Sequence, residues 1–290
     1  MKTGCLAILA VLVPWTALAA NPMSVSEELD AVYSYVGDAN TRGAGLNHGE
    51  VDEQSADVKY VVSPQVNKDL LLRFGAEWQR FSFDVPEHSA VPRLLQQASG
   101  VLGFDYQVAD EWLMRVEVEP GIYGDFENIN WRDFDAPLVI GGIYLASADV
   151  QWFLGLRVDG RCEYPVLPVA GVRWKLSDEW TLNLMLPSPR VEYQVNDRLT
   201  LYTGAGIEAG TFATGETFGS DHGEPRLNGT IVDFLEFRLN AGFSWKLSPS
   251  VSIEAEAGDM PYREFDFFEP DLDVRSHNAP YGQIACHARF

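Results

Sequence analysis

Five histidines, His48, His88, His222, His277 and His287, have the most chemistry to offer in this 290-residue chain. None falls into an HExxH or other metal-ligand spacing. Asp221-His222 could act as the acid–base pair of a surface hydrolase. Adjacent Asp and His arise readily by chance, and geometry rather than adjacency makes such a pair work. No Gly-x-Ser-x-Gly elbow and no Walker sequence accompanies it. The chain reads as a non-enzyme with no cofactor implied. Glu269, Asp271 and Asp273 offer oxygen to calcium but lack the spacing and glycine of an EF-hand loop. They fit better as a solvated acidic loop, or as one bridged through divalent ions to lipopolysaccharide.

A second set of charges is more informative because it is periodic. Arg73, Arg115, Arg157, Arg173 and Lys175 fall in the first two thirds of the chain, and Glu192, Glu208, Glu236, Glu254 and Glu256 follow. Each stands one residue away from an apolar side chain. Gly75, Gly155, Gly171, Gly204, Gly206 and Gly242 share their polar faces. Glycine leaves room and charge keeps that room wet, so these ten residues are candidate pore-lining groups. Folded into a ring, the basic and acidic sets would stand on opposite walls and set a transverse field across a water-filled lumen.

Strands must position them. Over residues 166–211 the period is two, and it restarts after every polar turn. Ala170, Val172, Trp174 and Leu176 alternate with Gly171, Arg173 and Lys175; after Ser177-Asp178-Glu179, Trp180, Leu182 and Leu184 alternate with Thr181 and Asn183. A helix would repeat every 3.6 residues. Connections are short near 63–69, 109–111, 147–149, 177–179, 196–198 and 248–250, and mostly longer between them. Residues 37–54 and 259–278 read as long loops, and 91–97 as a possible helical turn. Short turns on one side and long loops on the other are the pattern of a transmembrane antiparallel up-and-down β-barrel. Six short turns and two termini on one side give about 14 strands, or 12 if the first hairpin does not close the wall. Trp112, Trp152, Trp174, Trp180 and Trp245 lie near short turns on the apolar face and predict an aromatic girdle at the membrane interface.

Compartment follows from the N-terminus. Lys2, an apolar run over residues 6–13 and Ala17-Leu18-Ala19 predict a signal peptide over residues 1–19, cleaved near Ala19, with residues 20–290 as the barrel domain. The net charge of −21 repels phosphate and argues against a nucleic-acid partner. After the leader no apolar run approaches the 18 or so residues of a membrane helix. The expected location is a bacterial outer membrane, with its lipids and lipopolysaccharide as partners. Phe290, sharing a face with Ile284, Cys286 and Ala288, predicts insertion by the barrel assembly machinery.

Pro120-Gly121-Ile122-Tyr123-Gly124-Asp125 is similar to a motif of an uncharacterised bacterial outer-membrane β-barrel family, domain of unknown function 6268. So are Leu167-Pro168, Gly171-Val172-Arg173-Trp174, Trp180-Thr181-Leu182 with Pro187, and Arg190-Val191-Glu192-Tyr193. The resemblance covers roughly residues 94–212 well and implies an outer-membrane barrel without transferring functional residues.

Taken together, the residues predict a passive, porin-like channel for small hydrophilic solutes with weak cation preference. A non-conducting structural or surface-binding barrel is the second reading, and an outer-membrane hydrolase a distant third. One prediction follows from register. Cys162 belongs to a loop and Cys286 lies near the opposite end of a strand, well over about 15 Å away at ~3.3 Å per residue. A disulfide needs Cα atoms within about 7 Å. Mass spectrometry of the oxidised protein should find both cysteines as thiols; a Cys162–Cys286 bridge would refute the register.

Overall fold

Residues that alternate in the sequence alternate in space. The computed structural model describes residues 24–43, 46–86 and 89–290, and these form a closed antiparallel barrel of 14 strands. The proposed leader, residues 1–19, and His88 lie outside the described residues. In chain order the strands are β1 (Val25–Gly43), β2 (Leu46–Asn67), β3 (Leu70–Asp84) and β4 (Leu94–Ala109). β5 runs over Trp112–Val118 and resumes past Pro120 at Gly121–Gly124, and β6 comprises Phe134–Asp135 and Leu138–Leu145. Then come β7 (Val150–Val158), β8 (Val166–Lys175), β9 (Trp180–Asn183) and β10 (Arg190–Gln194). β11 (Leu199–Ala213), β12 (Ile231–Lys246), β13 (Val251–Phe267) and β14 (Leu272–His277 with Ala279–Arg289) complete the ring.

Closure is made by the first strand. Leu29 stands opposite Tyr60 of β2 on one side and Ala288 of β14 on the other. The first hairpin therefore belongs to the wall, which settles the count at 14 rather than 12. Outward positions are apolar: Phe74, Trp78, Leu102, Leu154, Leu201, Leu239 and Ile284 are all exposed. The five tryptophans of the predicted girdle are 41–47% exposed and lie beside the short turns, with Trp112 stacked on Tyr144 and Trp180 tilted against Tyr193.

Three expectations are corrected. Residues 37–54 are not a loop; β1 and β2 pair through them, from Val36 opposite Glu53 up to Gly43 opposite Leu46. Residues 259–278 likewise continue β13 and begin β14, with Phe265 opposite Val274. The stretch 91–97 has no helical turn, because Leu94 already pairs with Ser82 in the β3–β4 ladder. Each of the two long extensions is hidden in the sequence by a shift of register. Bulges lie between Val36 and Ala39 and opposite the Phe237–Leu239 step. A bulge moves the apolar set to the other face of its strand.

Strand lengths are very unequal. β2 has 22 residues, β9 only 4 and β10 only 5, where a tilted strand needs about 9–11 to cross a bilayer. The corner Pro187-Ser188-Pro189 joins β9 to β10 deep in the wall, opposite Ala205 and Ile207 of β11. At the loop end the ring is also pinched. Ala213, at the top of β11, pairs in parallel with Gly124 at the top of β5, six places across the ring. Above that point β1–β5 and β11–β14 form a smaller ring, and β6–β10 stay low.

Most inward glycines serve this close packing. A Cβ at Gly204 would collide with the Pro189 carbonyl oxygen and one at Gly75 with that of Tyr60, whereas one at Gly206 would stand 3.6 Å from the nearest atom. The glycines expected to leave room for solvent instead let neighbouring backbones approach. Gly204→Ala should therefore lower stability in urea unfolding by about 1–3 kcal/mol, the usual range for overpacking. Gly206→Ala should change it by less than about 0.5 kcal/mol. Equal effects would contradict this account of the corner.

Candidate functional site

Below the pinch, residues of thirteen of the fourteen strands, all but β9, line a chamber of about 790 Å³. Ser248, Pro249 and Ser250 of a short turn line its lower end, so it opens on the turn side. Its wall carries nine acidic and eight basic residues, a near balance. Six of the ten sequence-derived pore candidates line it: Arg73, Arg157, Arg173, Glu208, Glu254 and Glu256. The other four are engaged elsewhere. Arg115 makes a two-pronged pair with Asp105 at 2.5 Å. Lys175 pairs with Asp178 at the turn rim, 2.9 Å. Glu192 accepts from Arg190 Nε at 2.9 Å, and Glu236 is wholly buried.

Separate basic and acidic walls are not what the barrel builds. Three bases reach acids two or three strands away: Arg73 to Glu117 at 2.8 Å, Lys59 to Glu119 at 2.6 Å and Arg190 to Glu254 at 3.1 Å. Arg157 meets Asp159, two residues along the chain, at 2.9 Å. The physical reason is the cost of leaving a half-buried charge unpaired. A transverse field is largely cancelled by this pairing.

Above the chamber the lumen is filled. Glu53 on β2, Glu236 and Arg238 on β12 and Arg263 on β13 form a closed ionic cluster. Arg238 Nε meets Glu236 at 2.6 Å, Arg263 Nε meets Glu236 at 2.7 Å, and Arg263 Nη2 meets Glu53 at 2.8 Å. Over it stands an apolar plug. Phe81 of β3 lies 4.8 Å from Phe234 of β12, Phe83 lies 5.1 Å from Phe265 of β13, and Phe212 of β11 closes on Phe81 at 6.2 Å, centroid to centroid. β3 and β12 are five places apart in the ring. Rings can touch over that span only by crossing the lumen. A ring of about eight strands has an interior just wide enough for side chains to fill, and the pinch reduces fourteen strands to nearly that.

Sequence reasoning missed Glu53 and Arg263, because both fell in stretches read as loops. It also missed the inward role of the phenylalanines. The usable signal was in Arg263-Glu264-Phe265-Asp266-Phe267, which keeps period two with the apolar set turned inward.

The reactive side chains outside the lumen are held in local contacts. His222 Nδ1 lies 2.6 Å from the Phe218 carbonyl oxygen, while Thr217 donates to Asp221 at 2.8 Å, so the two neighbours face different partners. Glu269 pairs with Arg132 at 3.2 Å and Asp273 with Arg275 at 3.0 Å. Among the described residues no cluster of three or more His, Cys, Asp or Glu could hold a metal. An outer pocket of about 440 Å³ lies against Phe218, His222 and Asp125, and burial there pushes the Asp125 carboxyl up. Cys162 and Cys286 form no disulfide with each other.

An antiparallel barrel with short turns on one side, longer connections on the other and an apolar outer belt defines a membrane β-barrel of the outer-membrane type. The chain belongs to the family described as Domain of unknown function (DUF6268), whose profile matches residues 64–280. No curated protein matches it. Among solved structures it is similar to the COG4313 outer membrane channel from Pseudomonas putida F1, with TM-score 0.52 and 9% identity over 96% of this chain and 100% of that one. Weaker likenesses include a TodX monoaromatic hydrocarbon channel mutant, with TM-score 0.40 and 11% identity over 93% and 91% of the two chains. A third is OprB of Pseudomonas putida, with TM-score 0.40 and 7% identity over 92% and 94%. At such identities the likeness is one of fold.

The ionic cluster generates a test. Removing one partner of a buried pair costs about 3–5 kcal/mol, since the charge left behind stays out of water. Arg263→Met should lose that much in urea unfolding, and Glu53→Gln added to it should recover part of the loss. A cost under about 1 kcal/mol would mean that the cluster is solvated.

Proposed function

We propose that the protein is an outer-membrane channel for small hydrophilic solutes, shut at its loop end in this conformation and weakly selective for cations. The observation that carries this reading is the charged chamber that opens at the turns and ends under the phenylalanine plug. A barrel that only solvated its interior would have no need of a cavity of about 790 Å³. The chamber's near balance of acids and bases leaves selectivity small, and the acidic connections above it supply the cation preference by raising local cation concentration. Outer-membrane lipids, lipopolysaccharide and the barrel assembly machinery are the partners that suit this location. The plug itself favours the second reading, a non-conducting barrel that presents its outer loops, and the two readings separate experimentally.

In planar bilayers the wild-type protein should give small or infrequent openings. Phe81→Ala with Phe234→Ala, its folding checked by heat-modifiable gel mobility, should raise conductance several-fold and let liposomes leak small sugars. Folded double variant no more conductive than the bare bilayer would establish the structural barrel instead. In that opened background, Glu208→Gln with Glu254→Gln should move the reversal potential toward zero selectivity.

A further inference from the structure

The wall of the barrel is incomplete at one place. β8 pairs with β9 only from Arg173 downward, with one more bond from Leu184 N–H to the Val172 carbonyl oxygen. β11 is met by the corner only as far as Ile207, whose N–H donates to the Pro187 carbonyl oxygen at 3.0 Å. Above those points the facing edges of β8, residues 166–170, and β11, residues 208–212, have no strand between them among the described residues, until Ala213 meets Gly124. The notch has a floor, Pro187-Ser188-Pro189. Its roof is the connection over residues 160–165, where Cys162 Sγ lies 2.9 Å from Thr211 Oγ1 and Glu163 N–H donates to Asp233 at 3.1 Å.

Height places the notch inside the bilayer. Pro168 is six residues up β8 from Trp174, which lies beside the turns; at about 3.3 Å per residue and a tilt near 40° that is roughly 15 Å above the aromatic level. Irregular backbone at that depth is tolerated only where protein or a water-filled cavity covers it. The residues match that demand. Proline has no N–H to leave unpaired, and prolines stand at 168 on the free edge of β8 and at 187 and 189 on the floor. The register turns Pro168 and Ala170, with Val172, toward the notch.

The chamber reaches this gap. Along β11 it is lined by every residue from Ala205 to Thr211, although alternate side chains belong to opposite faces of the strand. The lining thus takes in outward residues of β11, Ile207 and Ala209, at the edge that has no neighbouring strand. Met185, Pro187, Ile207 and Ala209 make the passage apolar, while Arg173 and Glu208 stand on the chamber side.

We infer that the notch is a lateral portal between bilayer and chamber, taking a small single-chain amphiphile with its apolar body in the passage and its polar head among the chamber's charges. It deepens the channel reading by adding a route through the wall, and its test needs no axial conduction. In a Cys162→Ser, Cys286→Ser background, single cysteines are placed at Ser188→Cys in the floor, Leu239→Cys on the lipid face and Asn240→Cys in the chamber. Proteoliposomes are treated with pyrene maleimide, which partitions into the bilayer, or with a sulphonated, membrane-impermeant maleimide admitted to the turn side. The floor cysteine should react with both reagents, the lipid-face cysteine with pyrene maleimide alone and the chamber cysteine with the impermeant reagent alone. Sub-millimolar decanoate should slow impermeant labelling of the floor cysteine at least threefold and leave Ser252→Cys, near the turns, unchanged. A floor cysteine labelled like either control alone would overturn the portal. Dual labelling without decanoate protection would overturn the amphiphile. Ile207→Cys, on the opposite edge, repeats the test should the corner variant fail to fold. Failure of plug-opened conductance bears on the axial channel and leaves these outcomes readable.

Discussion

In hydrocarbon every backbone N–H and C=O must find a partner, and this requirement organises the whole molecule. It explains why the first strand closes on the last, with Leu29 facing Ala288. It also explains the form of the exception. Where β9 and β10 fall short, the exposed edge of β8 carries Pro168 and the corner carries two more prolines, and the carbonyls of Pro187 and Pro189 take N–H groups of β11. Short strands, corner and cavity are thus linked consequences of one constraint.

The loop end obeys a different rule, because above the bilayer the outside is water and the inside can be apolar. The same strand then reverses its polarity along its length. On β12, Leu239, Phe243 and Trp245 face outward near the turns, whereas Phe234 is fully buried at the other end. Pinching by β5 and β11 narrows the upper ring until rings from opposite walls meet. The ionic cluster of Glu53, Glu236, Arg238 and Arg263 forms the boundary between wet chamber and dry plug. Each carboxylate there has a guanidinium within salt-bridge distance, which offsets part of the cost of burying it.

This reversal accounts for how much was legible in the sequence. Within the bilayer, alternation of period two with the apolar set outward is unambiguous, and it revealed most of the strands, the side of the turns and the five tryptophans. Above the bilayer the apolar set moves inward, and the bulges beyond Val36 and Phe237 break the count of two. Residues 37–54 and 259–278 therefore resembled loops, and Glu53 and Arg263 disappeared with them. Pairing across the lumen was invisible for another reason. Which acid Arg73 or Lys59 meets depends on ring position and stagger, which a linear pattern does not encode. Glycine misled in the same way, since a small residue on an inward face serves a close backbone contact as well as an open space.

The central claim is that the chamber opens toward the turns and is closed toward the loops. Accessibility of a chamber cysteine, Gln283→Cys in the Cys162→Ser, Cys286→Ser background, tests it most directly. A membrane-impermeant maleimide added to intact cells should leave that cysteine unlabelled, while the same reagent admitted to the turn side should label it within minutes. Equal labelling from both sides would contradict the account, because it would show that the plug does not close the lumen.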